Sequence, residues 1–270
     1  MGELNLVLTM SFDGSDAAKA KENVQFHLAA GVDLVLASVV DGAVAESLSS
    51  LGERVQTVEP HASRTELARL ATTLHGADWI ISAEPDEFWW PRGENLKEVL
   101  APIPERYTIV QGLRRDFPPG ETARRSSPQN GEGAVLRPVF RADRDVIVRD
   151  DGGVELRRSV PLRAWYPIEV MYLGPQGPGD GAELVDDSRL HDALQALRRG
   201  DSSLTFRVPD IVDDAHYAAE CAAVGEVDLP KLEHYITELE QRVKWLEERF
   251  WPRVWRRLAR LGRRSAGSSG

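Results

Sequence analysis

Three carboxylates lie close together in the first half of the chain, at Glu84, Asp86 and Glu87. A hard divalent cation such as Mg²⁺ is usually held by one or two protein carboxylates, while water and substrate phosphates complete its coordination shell. The spacing therefore predicts a divalent-cation site in which Glu84 and Asp86, on either side of Pro85, face one ion. The alternative is that these acids are solvated turn residues or caps for the next helix.

Two tryptophans, Trp89 and Trp90, follow these acids directly. Their rings are either a stacking platform for a sugar or ordinary members of the core, and for at least one of them the core is the favoured interpretation. A sugar-binding module built on such a platform would need no metal.

The chain around these residues alternates between strands and helices. Apolar runs predict strands at residues 4–10, 32–40, 54–58 and 79–83. Helical spacing predicts the helices between them, at residues 17–30, 43–51 and 64–75. This alternation is typical of a parallel sheet, and such sheets bind ligands outside the carboxyl ends of their strands. The three acids follow a predicted strand directly, so we expect them at that edge.

The rest of this domain is less regular. A helix is predicted at residues 95–100, and strands are predicted at 107–113, 135–141, 146–149 and 168–173. A polar stretch at 118–134 is rich in turn-forming residues and predicts a long loop or flexible flap. A second such stretch at 174–181 marks the end of the main domain. We assign this domain to residues 1–173, followed by a linker with short helices at 174–227.

The C-terminal part has a heptad pattern. From Leu232 to Phe250 the apolar residues recur in steps of four and three, which predicts a long helix within residues 228–265. The seam is short, so it predicts either a homo-oligomeric coiled coil or a terminal helix packed on its own domain. Residues 266–270 are predicted to be a flexible tail.

The predicted helix ends in a basic amphipathic segment. Six arginines and no acid lie between Trp251 and Arg264, and the large apolar side chains share one helical face. This pattern is typical of a helix on an anionic membrane surface. It also suits a helix whose tryptophans pack on the acidic body of the protein.

Composition narrows the class of protein. The 270 residues carry a formal net charge of −10, with 42% hydrophobic and 28% charged residues, which is typical of a folded, water-soluble chain. The acidic balance disfavours nucleic-acid binding through a basic surface. Cys221 is the only cysteine, so neither an internal disulfide nor a cysteine-based metal site is expected. No signal peptide or spanning helix is predicted, and we expect a cytoplasmic protein.

Three stretches resemble a known family. Residues 27–33 (HLAAGVD), 76–91 (GADWIISAEPDEFWWP) and 96–100 (LKEVL) are similar to the family 2 glycosyltransferases, in particular to a bacterial subgroup with a DxDEFW-type motif. Weaker similarity at 137–143 and 167–173 follows in the same order, so the resemblance covers residues 4–173.

The resemblance implies a GT-A fold, a Rossmann-like mixed α/β sheet flanked by helices, to which the C-terminal helix adds an extension. It also implies a nucleotide-sugar donor whose diphosphate is held against a divalent cation, Mg²⁺ or Mn²⁺. Asp86 would be the main metal ligand, Glu84 would replace the usual first aspartate, and Glu87 would lie beside them toward the substrate. Asp16 and Asp41 are the acids that remain of the family's donor-site sequences after the first two strands.

Departures from the family pattern leave two functions open. Most acids expected after the first two strands are missing, and Tyr172 stands where the family has a histidine that is a candidate third metal ligand. One prediction is a transferase acting on a cell-envelope glycan or lipid-linked acceptor at the inner face of the membrane. Asp116 would then be the general base, although its position also suits an exposed loop aspartate. The other prediction is a catalytically inactive scaffold that oligomerises through its C-terminal helix.

Overall fold

A computed structural model describes residues 4–14, 16–118, 122–125, 135–162, 167–174, 184–201 and 203–206. The chain divides into two units, residues 1–226 and 227–270, and all described residues belong to the first. The predicted heptad helix, the basic segment and the C-terminal tail therefore lie outside the described residues. Most of the predicted loop at 118–134 lies outside them as well.

The described residues form five helices and thirteen strands. The helices are α1 (Ala17–Ala29), α2 (Gly42–Ser49), α3 (Arg64–Thr73), α4 (Leu96–Leu100) and α5 (Arg189–Arg198). The strands are β1 (Leu6–Phe12), β2 (Leu34–Val39), β3 (Val55–Val58), β4 (Trp79–Ala83), β5 (Glu87–Pro91), β6 (Ile109–Asp116), β7 (Ala123–Arg125), β8 (Leu136–Arg141), β9 (Ile147–Val148), β10 (Val154–Glu155), β11 (Pro161–Leu162), β12 (Ile168–Tyr172) and β13 (Leu184–Asp186). Of these five helices, none has the length and apolar character needed to cross a membrane.

Nine of the strands form one mixed sheet. Its order is β3-β2-β1-β4-β8-β6-β12-β5, and β11 also pairs with β6. The first four strands of this order are parallel, whereas β8 runs antiparallel to both β4 and β6. As a result β6 and its parallel neighbour β12 run in the same direction as β1. The predicted fold class, a mixed α/β sheet flanked by helices, is confirmed.

The first strand is buried on both faces, as its continuous apolar run predicts. Leu6, Leu8 and Met10 belong to one buried cluster together with side chains of α1 and α2. Val7 belongs to a second cluster together with side chains of α3. Because side chains along a strand alternate between its faces, α1 and α2 cover one face of the sheet and α3 covers the other.

The ends of the helices carry local signals. The Ser63 hydroxyl accepts a hydrogen bond from the Glu66 backbone N–H, and the Glu66 carboxylate accepts one from the Ser63 N–H, which together form a capping box at the start of α3. Gly31 follows α1 and Gly76 follows α3, with φ angles of 102° and 60°. Gly31 directly follows the C-cap of α1, and its left-handed conformation explains why that helix ends there.

The segment after the three acids is a strand that the sequence did not predict. β5 runs antiparallel to β12 and places Glu87 beside Tyr172. All of its side chains are buried, so it lacks the alternation of polar and apolar residues that usually indicates a strand. On the other side of β12, β6 ends at Asp116 rather than at Leu113 as predicted, because its last residues pair with β12.

Candidate functional site

The carboxyl ends of the parallel strands collect acidic side chains at one edge of the sheet. Glu87 at the start of β5, Tyr172 at the end of β12 and Asp116 at the end of β6 lie side by side in register. Glu84 and Asp86 lie in the short turn that joins β4 to β5. We call Glu84, Asp86, Glu87 and Asp116 the acidic edge. It lies where open α/β sheets bind their ligands.

Glu84 is engaged by an arginine from α3. Arg64 Nη2 lies 2.5 Å from Glu84 Oε1, and the two side chains keep 21% and 33% of their exposure. Arg64 is the first residue of α3, so the capping box at Ser63 fixes the position of its backbone. Solvent weakens a partly exposed ion pair of this kind to about 1 kcal/mol or less.

Glu87 faces the protein interior. Its side chain is 1% exposed, and its Oε1 accepts a hydrogen bond from Arg137 Nε at 2.6 Å. Its Oε2 accepts a second one from the backbone N–H of Glu84 at 3.1 Å. Burial raises the pKa of Glu87 above its usual range, against the opposing effect of Arg137. Oε2 therefore closes the turn between β4 and β5 and Oε1 pairs with Arg137 of β8, so the buried carboxylate does not face a substrate as predicted.

Asp86 is the exposed side chain of that turn. Partial removal from water raises the pKa of Asp86, Lys19 opposes the change, and the Glu84 carboxylate adds to it. The Asp86 carbonyl accepts a hydrogen bond from the Leu173 N–H at 2.9 Å, which fastens the turn to the end of β12. Among the described residues, none forms a hydrogen bond or ion pair with the Asp86 carboxylate, so this group is available to a ligand.

Glu84 and Asp86 are the residues of this edge that could hold a divalent cation. Glu84 and Asp86 would supply two carboxylate ligands, which suffices for Mg²⁺ where substrate phosphates complete the shell. The contribution of Glu84 to the raised pKa of Asp86 is the expected effect of one carboxylate on a close neighbour. In the part of the chain that the structure describes, no group of three His, Cys, Asp or Glu side chains is placed to hold a metal by itself.

Asp116 lies at the acidic edge with its carboxylate restrained. Its side chain is 50% exposed, and Arg114 Nε lies 2.6 Å from its Oδ1. The Arg114 guanidinium lies 3.7 Å above the ring of Tyr172. Tyr172 thus supports the arginine that holds the predicted base, in the position where the family resemblance leads us to expect a histidine.

Asp16 and Asp41 cap helices at the same edge. Asp16 Oδ1 accepts hydrogen bonds from the N–H groups of Ala18 and Lys19, at 2.8 and 3.1 Å, so it is the N-cap of α1. Asp41 Oδ1 accepts one from the Ala43 N–H at 2.7 Å at the start of α2. Each carboxylate stabilises a helix. Their predicted contact with the donor nucleotide stays a prediction.

The two tryptophans belong to the core. Trp89 is fully buried, so a stacking platform for a sugar cannot include it, which corrects that interpretation. Trp90 is 2% exposed and lines a groove of about 320 Å³ beside α5. Its Nε1 donates a hydrogen bond to the Phe206 carbonyl at 3.0 Å, and the rings of Phe26 and Phe206 pack against it.

Two polar side chains of α1 form hydrogen bonds with backbone groups along the outer edge of β5. The Asn23 amide donates hydrogen bonds to the carbonyls of Pro85 and Glu87, at 2.8 and 2.9 Å. The Trp89 N–H donates to His27 Nε2 at 3.2 Å, so Nδ1 carries the proton and donates to the Asn23 carbonyl at 2.9 Å. Burial lowers the pKa of His27 to about 4, which keeps the ring neutral near pH 7. His27 thus links two of the stretches that resemble the family, residues 27–33 and 76–91.

Other residues of the family resemblance also hold the fold together. The Asp33 carboxylate accepts hydrogen bonds from the Leu6 N–H at 2.9 Å and from Lys97 Nζ at 2.8 Å. Asp78 accepts one from the Asn5 N–H at 2.8 Å. In the three matching stretches, Glu84 and Asp86 are the acids whose carboxylates retain access to the acidic edge.

Sequence reasoning missed the basic partners of the acidic edge. Each acid has a cationic neighbour in the structure: Arg64 beside Glu84, Lys19 near Asp86, Arg137 against Glu87 and Arg114 against Asp116. Only the Arg114–Asp116 pair could be inferred from the sequence, because residues that are two apart on a strand lie on the same face. The other partners come from different elements, so their distance along the chain conceals them.

A buried charge cluster on β12 was also missed. Glu169 is fully buried and accepts hydrogen bonds from Arg115, at 3.0 and 2.8 Å, and from Arg189 at 2.7 Å. Burial by itself would raise the pKa of Glu169, but Arg115, Arg189 and Arg92 together lower it to about 2. Asp187 accepts three hydrogen bonds from Arg189, two from its guanidinium and one from its backbone N–H. This cluster joins β6, β12 and α5.

The fold and the site define a mixed α/β protein whose sheet carries paired acids and bases at its carboxyl edge. No protein-family model matches the chain, and no curated protein matches it. Similarity is found with solved structures, over part of the chain and at low identity.

One similar structure is a CMP:2-keto-3-deoxy-manno-octonic acid synthetase complexed with CTP, 12% identical with a TM-score of 0.38, over 74% of this chain and 100% of the synthetase. The apo structure of the bifunctional glycosyltransferase WbbM is 10% identical with a TM-score of 0.29, over 42% of this chain and 23% of WbbM. A nucleotidyl transferase from Methanothermobacter is 16% identical with a TM-score of 0.28, over 51% of this chain and 72% of the transferase. At these TM-scores the similarity carries no conclusion about substrate or reaction.

Proposed function

We propose that the protein is a glycosyltransferase. It would transfer a sugar from a nucleotide-sugar donor to a hydroxyl of a cell-envelope glycan or lipid-linked acceptor, with a divalent cation at the acidic edge. The observation that carries the proposal is the exposed Asp86 carboxylate beside Glu84, at the carboxyl end of β4. The similarity of residues 76–91 to the family 2 glycosyltransferases supports it.

The chain's own residues take separate roles in this reaction. Glu84 and Asp86 would hold Mg²⁺ or Mn²⁺, whose chemistry is to neutralise the charge that develops on the departing nucleoside diphosphate. Lys19, near Asp86, adds positive charge at the same place. Asp116 would accept the proton of the acceptor hydroxyl, while Arg114 keeps its carboxylate in position. Asp41 would contact the nucleotide from the end of β2.

The acceptor class and the partners rest on sequence patterns. Arginines and tryptophans from Trp251 to Arg264 suit an anionic membrane surface, where a lipid-linked acceptor would be found. The heptad pattern from Leu232 to Phe250 suits a homo-oligomer. Co-sedimentation with phosphatidylglycerol vesicles, compared with phosphatidylcholine vesicles, tests the first proposal. Light scattering of the purified chain tests the second.

Calorimetric titration tests the donor site. UDP and GDP are titrated with and without Mn²⁺ into the wild type, Asp86→Asn and a control variant, Glu53→Gln. Glu53 is exposed just before β3, at the opposite edge of the sheet. We expect metal-dependent binding of one nucleotide to the wild type and the control, and at least a tenfold loss in Asp86→Asn, about the effect of 1.4 kcal/mol. If the wild type binds neither nucleotide with Mn²⁺ present, the proposal fails.

A second candidate is a non-catalytic scaffold that oligomerises through its C-terminal helix. The scaffold is favoured by the contacts of the residues that resemble the family. His27, Asp33, Asp78 and Glu87 all form hydrogen bonds with backbone groups and so stabilise the fold. Their presence therefore does not require catalysis. A folded, oligomeric chain that binds no nucleotide in the titration would support the scaffold.

A further inference from the structure

The Arg64–Glu84 ion pair occupies one of the two carboxylates proposed to hold the cation. Arg64 Nη2 contacts Glu84 Oε1 at 2.5 Å, whereas the cation that acts on Asp86 is Lys19. The positive charge of Arg64 repels a second cation that approaches the Glu84 carboxylate. Cation binding at Glu84 is therefore stronger once Arg64 moves away.

A diphosphate gives Arg64 a better partner than Glu84. Guanidinium groups match phosphate oxygens in geometry, and a diphosphate carries more negative charge than one carboxylate. In the existing ion pair the Arg64 side chain is 21% exposed and the Glu84 side chain is 33% exposed, so water already weakens the attraction between them. The capping box anchors the start of α3 through the backbone of Ser63 and Glu66. The exchange thus needs only a change in the Arg64 side chain.

We propose that Arg64 is a latch operated by the donor diphosphate, an inference that rests on the proposed function. In the free protein Arg64 neutralises Glu84 and keeps divalent-cation affinity low. When a nucleoside diphosphate binds, Arg64 transfers to a phosphate oxygen and releases Glu84 to the cation. Nucleotide and metal therefore bind cooperatively, and by linkage each raises the affinity for the other by the same factor.

Metal and nucleotide affinities of Arg64→Gln test the latch. Free Mn²⁺ is measured by electron paramagnetic resonance, first with protein alone and then with saturating UDP or GDP. We expect Arg64→Gln alone to bind Mn²⁺ about fivefold more tightly than the wild type, since Glu84 is released. In EDTA the same variant binds nucleotide more weakly. A purely structural role for Arg64 would not raise metal affinity.

Two further variants complete the test. Arg198→Gln removes a comparable surface pair, in which Arg198 Nε lies 2.6 Å from Glu22 Oε1, and it should change neither affinity. Glu84→Gln should act in reverse, binding nucleotide more tightly in EDTA because Arg64 is released, and binding Mn²⁺ more weakly. This reciprocal result keeps the test decisive if Arg64→Gln does not fold.

The outcomes distinguish a failure of the latch from a failure of the proposed function. If the wild type binds Mn²⁺ and nucleotide together but Arg64→Gln has wild-type Mn²⁺ affinity, the latch alone is overturned. If the wild type binds neither in any combination, the proposed function and the latch both fail. Opposite shifts in metal and nucleotide affinity in Arg64→Gln support the latch.

Discussion

Single buried charges in this protein depend on several partners at once. Glu169 is fully buried on β12, and Arg115, Arg189 and Arg92 all act on its carboxylate. A carboxylate in such a place is tolerated only because these cations replace the water that burial removes. The same reasoning gives Glu169 a structural role.

The variant Glu169→Gln tests this interpretation at the residue scale. We expect it to lower the free energy of unfolding by about 3–5 kcal/mol, because buried arginines lose their counter-charge. Urea denaturation at pH 7 measures the change. Glu22→Gln is the control, since Glu22 pairs with the more exposed Arg198 and its loss should cost about 1 kcal/mol or less. Equal effects of the two variants would contradict the argument.

The acids of the acidic edge look alike in sequence but differ in the structure. Glu87 is 1% exposed and bound on both oxygens, whereas Asp86 is exposed and Glu84 is held by a single arginine. Residue type and spacing indicated a carboxylate cluster. Which carboxylates face solvent depends on β12 and α3, which come from distant parts of the sequence.

At the scale of elements, the strands β5, β6 and β12 must approach one another closely. Gly112 on β6 makes room for this approach, because a Cβ there would lie 2.8 Å from Val170 Cγ2 and 3.2 Å from Trp89 Cζ3. The buried Trp89 ring therefore requires a glycine on β6. This requirement links the tryptophan after the acids to a strand more than twenty residues later.

We expect Gly112→Ala to lower the free energy of unfolding by about 1–3 kcal/mol, because the added methyl group overpacks β6 against its neighbours. The control is Gly42→Ala in the first turn of α2, where an added Cβ meets nothing within 4 Å. That variant should be neutral or stabilise by up to about 1 kcal/mol. Thermal unfolding of both variants measures the contrast, and a neutral Gly112→Ala would show that the strands can separate at no cost.

At the scale of the whole molecule, acid should weaken the fold through its buried groups. The pKa of His27 is lowered to about 4, below its ordinary value of 6.5, so the unfolded chain takes up this proton at a higher pH than the folded one. Its contribution to stability is therefore complete above pH 6.5 and declines as the pH falls toward 4. The pKa of Glu169 is lowered to about 2, so its contribution declines below its ordinary 4.5.

The His27 contribution is about 3 kcal/mol between pH 7 and pH 4. Comparison of the wild type with His27→Gln isolates it, because the two proteins differ only at this residue. We expect the stability advantage of the wild type to shrink by about this amount over that pH range, as measured by urea denaturation at each pH. An advantage that does not change with pH would show that His27 is not buried and neutral in the fold.

Local patterns were sufficient for the first part of the fold. Apolar runs, helical spacing and the capping box at Ser63 predicted β1 to β4 and the helices between them, because parallel strands and their helices are made of contiguous residues. In these places the determining interactions lie within a few residues along the chain.

Tertiary structure decided what those patterns left open. β5 exists because β12 pairs with one side of it while Asn23 and His27 satisfy the other. The same long-range packing buries Trp89, turns Glu87 inward and brings Arg64 to Glu84. The physical reason is that burial and ion pairing depend on which elements meet in space, and residues far apart in sequence carry no local signal of that meeting.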